Sequence, residues 1–346
     1  MRIDKNYCMS SYLTYRYVYD PEVCFKEGII HRHYEPVLDD KKIPCHTATD
    51  IDANIKKILS ELDLKHVAVL LSGGMDSAIL ASYMPEGTKA YTARCIGENA
   101  VDETEQARKY CQIYNLEHVV VDVDWNDYVT TIDELMLSDG FPITPNEPQA
   151  YKIAKLVKNS GVSCMIYGNC ADTEFGGMDK LLSKDWTYEE WVQRYGFVDI
   201  EKILKKPVNV LGVYDKYRIK KTGIDFIKFI KEVYACSSSN AYFNAFKCAG
   251  IGSLDPYSQL KMAEPLDLTR VRNGESKYLI RELFRMRYPS LDIPEKLPMS
   301  RPADDWMKAW KGPVRSEFKP NCTENLTGEQ KLLVYSLERF LNLIEV

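Results

Sequence analysis

Apolar and polar residues between positions 46 and 180 alternate between a helical and a strand pattern. A stripe of apolar residues at three- and four-residue spacing predicts a helix over residues 51–62. The run Val67–Leu71 has no polar alternation, which is typical of a strand covered on both faces of a parallel sheet. Further helices are predicted at 75–84, 102–114 and 147–159, and further strands at 89–95, 118–123 and 162–167. Alternating elements of these lengths predict an α/β fold with a doubly wound parallel sheet.

The pattern changes beyond Gly177, where no strand pattern of similar strength recurs. Residues 1–45 are rich in Tyr, His and Pro without clear periodicity, and they predict a short lead-in of strand and loop. We therefore expect a lead-in over 1–45, an α/β core over 46–180 and a mostly helical part over 181–346. Helical spacing in that last part covers residues 188–195, 224–234, 277–287 and 330–344.

Composition narrows the class of protein. The chain has 346 residues, of which 45% are hydrophobic and 27% charged, which is typical of globular proteins rather than disordered chains. Its net charge of −5 disfavours a general nucleic-acid-binding surface, so we expect no nucleic-acid partner. Apolar runs of about five residues are far shorter than the roughly 20 residues of a membrane helix, so no membrane span is expected. Charges near the N-terminus interrupt any signal-peptide core, which predicts a cytoplasmic protein.

Cysteine and histidine give no metal or disulfide signal. The ten cysteines are scattered without a C-x-x-C pair, so we expect small buried apolar residues rather than a disulfide framework or a zinc site. His31 and His33 lack a third ligand at convincing spacing. We interpret them as solvated loop histidines.

The strongest chemical signal is Leu71-Ser72-Gly73-Gly74-Met75-Asp76-Ser77, between a buried strand and a helix. Glycines let backbone N–H groups approach an anion, and the following helix N-terminus adds a positive dipole end. The spacing matches neither G-x-x-x-x-G-K-[ST] nor G-x-G-x-x-G. It is the S-G-G-x-D-S pyrophosphate loop, which predicts ATP cleavage between the α and β phosphates. Ser72 and Ser77 would donate to phosphate oxygens, and Asp76 would hold Mg²⁺.

A second segment follows the strand predicted at 162–167 and reads Tyr167-Gly168-Asn169-Cys170-Ala171-Asp172-Thr173-Glu174-Phe175-Gly176-Gly177. It lies at a strand's carboxyl end, where open parallel sheets bind ligands. Together the two segments resemble the synthetase domain of glutamine-dependent asparagine synthetases, including the β-lactam synthetase and lasso-peptide cyclase relatives. The second motif of that family runs G-E-G-[AS]-D-E-x-F-G-G-Y.

The resemblance implies an adenine nucleotide alpha hydrolase-like fold of the PP-loop ATP pyrophosphatase superfamily. It makes Asp172 the second Mg²⁺-binding acid, and it places Tyr167 and Gly168 beside the nucleotide. Tyr91-Thr92-Ala93 matches the family strand whose backbone contacts adenine, so Ala93 joins the nucleotide site. The sequence departs from the motif at Asn169 and Thr173, which replace the two glutamates, and at Met178, which replaces the tyrosine.

A third match lies further along the chain. Lys277-Tyr278-Leu279-Ile280-Arg281 resembles the family's K-x-x-L-R helix, which leads to a lysine that neutralises charge on the reacting phosphate and acyl group. On this match Lys296 is the candidate catalytic lysine, and Arg301 is the second candidate for that role. A lysine suits an α phosphate whose charge changes during reaction.

The resemblance implies an ATP-dependent ligase that adenylates a substrate carboxylate, releases pyrophosphate and transfers ammonia or an amine. ATP and Mg²⁺ are the implied cofactors. Arg2 stands where the family's glutaminase has its cysteine, so ammonia would come from solution, from a separate glutaminase or from an amine on the substrate. Stand-alone relatives suggest a small-molecule or sugar carboxylate, such as a uronic acid in polysaccharide biosynthesis.

Two alternatives remain open. One keeps the fold but modifies tRNA, a peptide or another natural product through pyrophosphate-loop activation. The other is a nucleotide-binding regulator that has lost catalysis, suggested by Asn169 and Thr173.

Overall fold

A computed structural model describes residues 1–295 and 301–345 of the chain. The strands are β1 (Arg2–Ile3), β2 (Val23–Cys24), β3 (Ile43–Cys45), β4 (Val67–Leu70), β5 (Lys89–Cys95), β6 (Glu117–Val123), β7 (Cys164–Ile166), β8 (Arg218–Ile219), β9 (Gly223–Ile224), β10 (Gly252–Leu254) and β11 (Leu260–Met262).

The α-helices are α1 (Lys5–Tyr15), α2 (Ala48–Leu59), α3 (Met75–Ala81), α4 (Thr104–Ile113), α5 (Trp125–Asp139), α6 (Glu147–Lys158), α7 (Ala171–Glu174), α8 (Asp179–Leu182), α9 (Tyr188–Tyr195), α10 (Ile200–Ile203), α11 (Gly212–Asp215), α12 (Phe226–Phe229), α13 (Ala235–Ala249), α14 (Leu268–Arg272), α15 (Tyr278–Arg287), α16 (Ala303–Trp306) and α17 (Gly328–Ile344). A π-helical segment, Ile230–Tyr234, joins α12 to α13 without a break. Short 3₁₀ turns cover Asp39–Lys41, Leu64–His66 and Pro256–Gln259.

The central sheet has five parallel strands in the order β10-β7-β4-β5-β6. From β4 the chain adds β5 and β6 on one side, then returns to add β7 and β10 on the other. The direction of winding therefore reverses between β4 and β7, which opens a crevice at the carboxyl ends of these two strands. The predicted doubly wound parallel sheet is confirmed.

Helices cover both faces of this sheet because alternate strand residues point to opposite sides. Ala68 and Val123 join one apolar cluster, which also contains residues of α1, α5, α6, α13 and α17. Val69 and Ala90 join the other cluster, with residues of α2, α3, α4 and α15. Both faces are buried, which explains the unbroken apolar run of β4.

The expected strand-and-loop lead-in is wrong over residues 5–15, which form helix α1. Eight of its residues, Cys8 to Tyr15, are buried, so the helix has no polar face that a periodicity search could detect. Its buried hydroxyl groups are satisfied, since Ser11 donates to the Tyr17 carbonyl and Ser10 accepts from the Val208 N–H. Other elements without a counterpart among the predicted ones include the helices α5 and α13 and the three-residue strand β10.

The histidines correct a second expectation. His31 is buried, and its ring packs edge-on against Phe25 and Phe141, while His33 stacks on Phe141. Burial, and next His33, lower the pKa of His31 to about 4. These side chains are packed under aromatic rings rather than solvated.

The ten cysteines are all free and are buried or partly buried, as expected. Across the part of the chain that the structure describes, no helix has both the length and the apolar character needed to cross a membrane.

Candidate active site

A cavity of about 430 Å³ lies at the carboxyl ends of the central strands, at the point where the winding reverses. The loop after β4, the end of β5 and the loop after β7 all contribute to its wall. Most residues predicted from the two motifs, together with Ala93 from the match at 91–93, line this cavity: Leu71, Ser72, Gly74, Asp76, Ser77, Ala93, Tyr167, Gly168 and Asp172.

The loop after β4 is held by its own serines. The Ser72 and Ser77 hydroxyl oxygens lie 3.0 Å apart, and the backbone N–H of Gly74 donates to the Ser72 hydroxyl at 3.1 Å. Gly74 is the N-cap of α3, and Gly74, Asp76 and Ser77 line the cavity, so this helix begins at the cavity wall. Hydroxyl and N–H donors are thus preorganised where a phosphate would bind.

Gly73 is the predicted loop residue that does not line the cavity. Its N–H donates to a carboxylate oxygen of Glu103 at 3.0 Å, and its carbonyl accepts from the Tyr110 hydroxyl at 2.9 Å. Burial raises the pKa of Glu103, while the Gly73 N–H opposes that rise. A carboxylate therefore occupies the anion position at this N–H. Sequence reasoning missed Glu103 because it lies outside both motifs.

Asp76, Asp172 and Lys277 form an acid–lysine cluster at the cavity. The Lys277 ammonium lies 2.6 Å from Asp76 Oδ2 and 2.8 Å from Asp172 Oδ1, and its side chain is only 4% exposed. Burial opposes the charged form of Lys277, but the two carboxylates outweigh it and raise the pKa of Lys277 above its ordinary value. Lys277 is therefore a cation held between two anions.

The backbone at Lys277 and the glycine at position 177 allow these three side chains to meet. Lys277 adopts a left-handed backbone (φ 50°) immediately before α15, an uncommon conformation for a residue with a side chain. A Cβ at Gly177 would lie 2.0 Å from Asp172 Oδ1 and 2.7 Å from Lys277 Cδ, so only glycine fits there. Lys277 is the first residue of the K-x-x-L-R match, which was the only sequence signal for it.

The donor set fits Mg²⁺ carried on a nucleotide. Asp76 and Asp172 follow neighbouring parallel strands and reach the same ammonium. Among residues 1–295 and 301–345, no three His, Cys, Asp or Glu side chains gather into a group that could hold a metal by themselves. Mg²⁺ commonly takes one or two carboxylates and completes its shell with phosphate oxygens and water. Two carboxylates beside a phosphate-binding loop satisfy that requirement.

The departures from the family motif have defined partners. Asn169 lines the cavity, accepts from the Ser238 hydroxyl at 2.9 Å and donates to the Ser239 hydroxyl at 3.3 Å. The Thr173 hydroxyl donates to the Cys170 carbonyl, within its own helical turn. Glu174 pairs with Lys42 at 2.6 Å, lies among the residues of a second cavity and does not line the nucleotide cavity. Neither missing glutamate is therefore replaced by Glu174.

Asp255 fixes the loop that carries Asn169. Its carboxylate accepts from the backbone N–H groups of Asn169 (2.8 Å), Cys170 (2.7 Å) and Tyr257 (3.0 Å). Burial raises the pKa of Asp255 to about 7, while the N–H donors act in the opposite direction. This residue follows β10, the strand that the apolar pattern did not reveal.

The two candidates for the catalytic cation differ in position. Arg301 lines the cavity and binds Glu329 of α17 through two contacts, Nε–Oε1 at 3.0 Å and Nη2–Oε2 at 2.7 Å. Lys296 lies outside the described residues. Pro294 and Glu295, which precede it, line the same cavity.

Comparisons with known proteins give one family match and matches to solved structures. Residues 63–226 match the family model described as asparagine synthase. No curated protein matches the chain. Among solved structures, NMN synthetase from Francisella tularensis is 11% identical with a TM-score of 0.29, and the match covers 73% of this chain and 100% of that one. An NH3-dependent NAD synthetase from Campylobacter jejuni, in complex with the nitrate ion, is 15% identical with a TM-score of 0.26, covering 72% and 97%.

The matched segment, residues 63–226, contains the pyrophosphate loop, the end of β5 and the loop with Asp172. It supports an ATP-using ligase that forms carbon–nitrogen bonds on small molecules. Over these residues, the resemblance to the asparagine synthase family that the motifs indicated is confirmed.

Proposed function

We propose that the protein adenylates a substrate carboxylate with ATP and then transfers ammonia or an amine to the acyl group. The observation that carries this proposal is the acid–lysine cluster beside the pyrophosphate loop in one cavity at the carboxyl ends of β4 and β7. Hydrogen-bond donors that can bind a phosphate, two carboxylates that can hold a metal ion and a buried cation are the groups that suit a reaction at the α phosphate of ATP.

The residues at the cavity wall favour one orientation of the nucleotide. Ser72, Gly74 and Ser77 would bind the phosphates, with α3 directing its N-terminus at them. Ala93, at the cavity wall on β5, would contact adenine. Asp76 and Asp172 would hold Mg²⁺, which when bound supplies positive charge to the pyrophosphate leaving group.

The chemistry has two balanced steps. A carboxylate oxygen forms a bond to the α phosphorus while the bond to the β-phosphate oxygen breaks, which gives an acyl-adenylate and pyrophosphate. The nitrogen of ammonia or an amine then forms a bond to the acyl carbon, the bond from that carbon to the AMP oxygen breaks, and the nitrogen loses a proton to solvent water. Lys277 adds a fixed positive charge near the leaving pyrophosphate because two carboxylates hold it in the charged form.

A second cation would act on the α phosphate and the acyl group. Lys296 is the candidate on the family match, and Arg301 is the second candidate. Lys296→Ala is expected to abolish turnover and to leave ATP affinity largely unchanged, because the residue would act on charge that develops during reaction. Unchanged pyrophosphate release in Lys296→Ala would remove it from this role.

The substrate follows from analogy with stand-alone family members. We propose a small-molecule acid, with a uronic acid sugar of polysaccharide biosynthesis as the first candidate, and ammonia supplied from solution or by a separate glutaminase. Carboxylates of different classes, each with ammonium chloride, are therefore the substrates to screen.

Pyrophosphate release tests the proposal. ATP, Mg²⁺, ammonium and a panel of carboxylic acids should give AMP and pyrophosphate in amounts that depend on the acid. Asp76→Asn should abolish this release, while Asp179→Asn, which changes an aspartate outside the cavity lining, should retain it. Tight ATP binding without release for any acid would favour the nucleotide-binding regulator instead.

A further inference from the structure

The cavity also has polar lining residues that the reaction at the α phosphate leaves unused. We call these residues the arginine side: Arg16, Asn146, Gln149, Tyr234, Ser238 and Tyr242.

Arg16 comes from the N-terminal helix and reaches the cavity wall through an unusual backbone. It caps the C-terminus of α1 in the left-handed conformation (φ 66°), and its Nε donates to the Ser237 hydroxyl at 3.2 Å. Its guanidinium lies 4.0 Å from the centre of the Phe197 ring and 5.7 Å from that of Tyr234. Two aromatic rings and one hydroxyl therefore orient the guanidinium at the cavity wall.

The contacts of the Arg16 guanidinium differ from those of Lys277 and Arg301, the other cations of the cavity described above. Lys277 is held by Asp76 and Asp172, and Arg301 by Glu329. Within the described ranges, no ion pair joins Arg16 to a carboxylate, and its contacts are a hydroxyl and two aromatic rings. An arginine with unfilled donors in a cavity is suited to a carboxylate or a phosphate.

Gln149 gives an independent indication that a polar ligand binds in this cavity. Its side chain is 1% exposed, and its Nε2 contacts Cys95 Sγ at 2.9 Å. The other amide atom, Oε1, is buried without a hydrogen-bond partner among the described residues. A buried polar atom at a cavity wall is costly unless a ligand or water satisfies it.

The arginine side adjoins the reacting centre. Ser237, the partner of Arg16, precedes Ser238, which donates to Asn169 at 2.9 Å. Asn169 belongs to the loop that carries Asp172. A substrate with one polar group at Arg16 would therefore place its carboxyl group beside the nucleotide.

We propose that Arg16 binds a second anionic group of the substrate, separate from the carboxyl group that is adenylated, and that Gln149 binds a polar group of the same molecule. This inference rests on the proposed function for the identity of the first group. It narrows the substrate class to acids that carry two anionic groups, the second being a carboxylate or a phosphate.

Calorimetric binding of matched acids tests this inference without turnover. Succinate is compared with butyrate, and glucuronic acid 1-phosphate with glucuronate, all with Mg²⁺ and a non-hydrolysable ATP analogue that fills the phosphate loop. The wild-type protein should bind one of the acids with a second anionic group about ten- to hundredfold more tightly than its matched acid with a single carboxylate, the range expected for a charge-assisted contact. The pair that shows the preference identifies the second group as a carboxylate or a phosphate.

Variants separate binding by Arg16 from a structural role. Arg16→Met should abolish the preference, and Arg16→Lys, which keeps the charge and is the second variant if Arg16→Met does not fold, should retain only part of it. Arg194→Met, at an exposed arginine of α9, should keep the full preference. A wild-type protein that prefers neither acid with a second anionic group, or a preference that survives in Arg16→Met, overturns the inference. Failure of the proposed function would show separately, as absence of acid-dependent pyrophosphate release.

Discussion

At the scale of single residues, Lys277 partly neutralises the two aspartates of the nucleotide cavity. Its ammonium neutralises much of the repulsion between Asp76 and Asp172, which lie 2.6 and 2.8 Å from it. Removing one partner from a buried ionic group commonly costs about 3–5 kcal/mol of stability. The same removal leaves two neighbouring carboxylates without this ammonium, so a divalent cation should bind them more strongly.

Lys277→Met tests this role. We expect a lower Tm, a larger increase of Tm on adding Mg²⁺ than in the wild type, and pyrophosphate release reduced about 10²- to 10³-fold, the usual effect of losing one group that stabilises charge in the transition state. Thermal unfolding with and without Mg²⁺ measures the first two effects. Lys308→Met, at a lysine whose side chain is 74% exposed, is the matched control. Equal Mg²⁺ stabilisation of variant and wild type would contradict the assignment.

Substitution of Gly177 tests whether catalysis depends on the position of the Asp172 carboxylate. A methyl group there would lie 2.0 Å from Asp172 Oδ1, so Gly177→Ala should displace the carboxylate and lower kcat about hundredfold, as misplacement of a reacting group by roughly 1 Å does. Gly212→Ala is the control, because a Cβ at Gly212 has no atom within 4 Å. Wild-type kcat in Gly177→Ala would show that the position of Asp172 is not limiting.

The residues of the site differ in whether a short sequence motif contains the information needed to predict them. Ser72, Asp76 and Asp172 could be predicted because their chemistry lies inside short motifs at strand ends. Glu103 and Asp255 could not, because each meets its partner through the tertiary fold, at Gly73 and at the loop after β7. Their roles depend on burial, which no local spacing encodes.

At the scale of elements, predictions succeeded for several amphipathic helices, for the long strand β5 and for the buried apolar strand β4. β5 has the predicted bounds, and α9 matches its predicted range. α1 was missed because nearly all of its sides are buried, and β10 because three residues carry no periodic signal. Arg16 and Asp255 lie at the ends of these two elements, so the errors also hid parts of the site.

The junction of α5 and α6 predicts how stability depends on pH. Asp139 ends α5 and is fully buried, and burial, then the neighbouring Glu147, raise the pKa of Asp139 well above its usual range. A raised folded pKa means that the folded state binds more protons than the unfolded state, so stability falls as pH rises above about 4. Burial raises the pKa of Glu147 to about 7, in the same direction.

Asp139→Asn should remove part of this pH dependence, because an amide cannot ionise and can donate to Glu147. We expect its Tm relative to the wild type to become steadily more favourable between pH 5 and pH 9. The slope is at most about 1.4 kcal/mol per pH unit for one group. Asp133→Asn, at a partly exposed aspartate of the same helix, is the control. A Tm difference independent of pH would show that Asp139 is ionised in the folded protein.

At the scale of the whole molecule, the order of the strands determines where the candidate active site lies. The reversal between β4 and β7 brings the pyrophosphate loop and the loop with Asp172 to one crevice, and α15 delivers Lys277 to the same place. The sheet could be predicted from alternating patterns. The contribution of the N-terminal helix could not, because contacts such as that of Arg16 with Ser237 join residues far apart in sequence.

The central claim is that a carboxylate oxygen attacks the α phosphate of ATP. The most direct test uses the acid that best stimulates pyrophosphate release, labelled with ¹⁸O in its carboxyl group, in a reaction with ATP, Mg²⁺ and ammonium. Mass spectrometry of the AMP should show one ¹⁸O transferred from the acid, because the acyl-adenylate leaves that oxygen on the phosphate when nitrogen displaces AMP. AMP without the label, or ADP and phosphate as products, would contradict the mechanism.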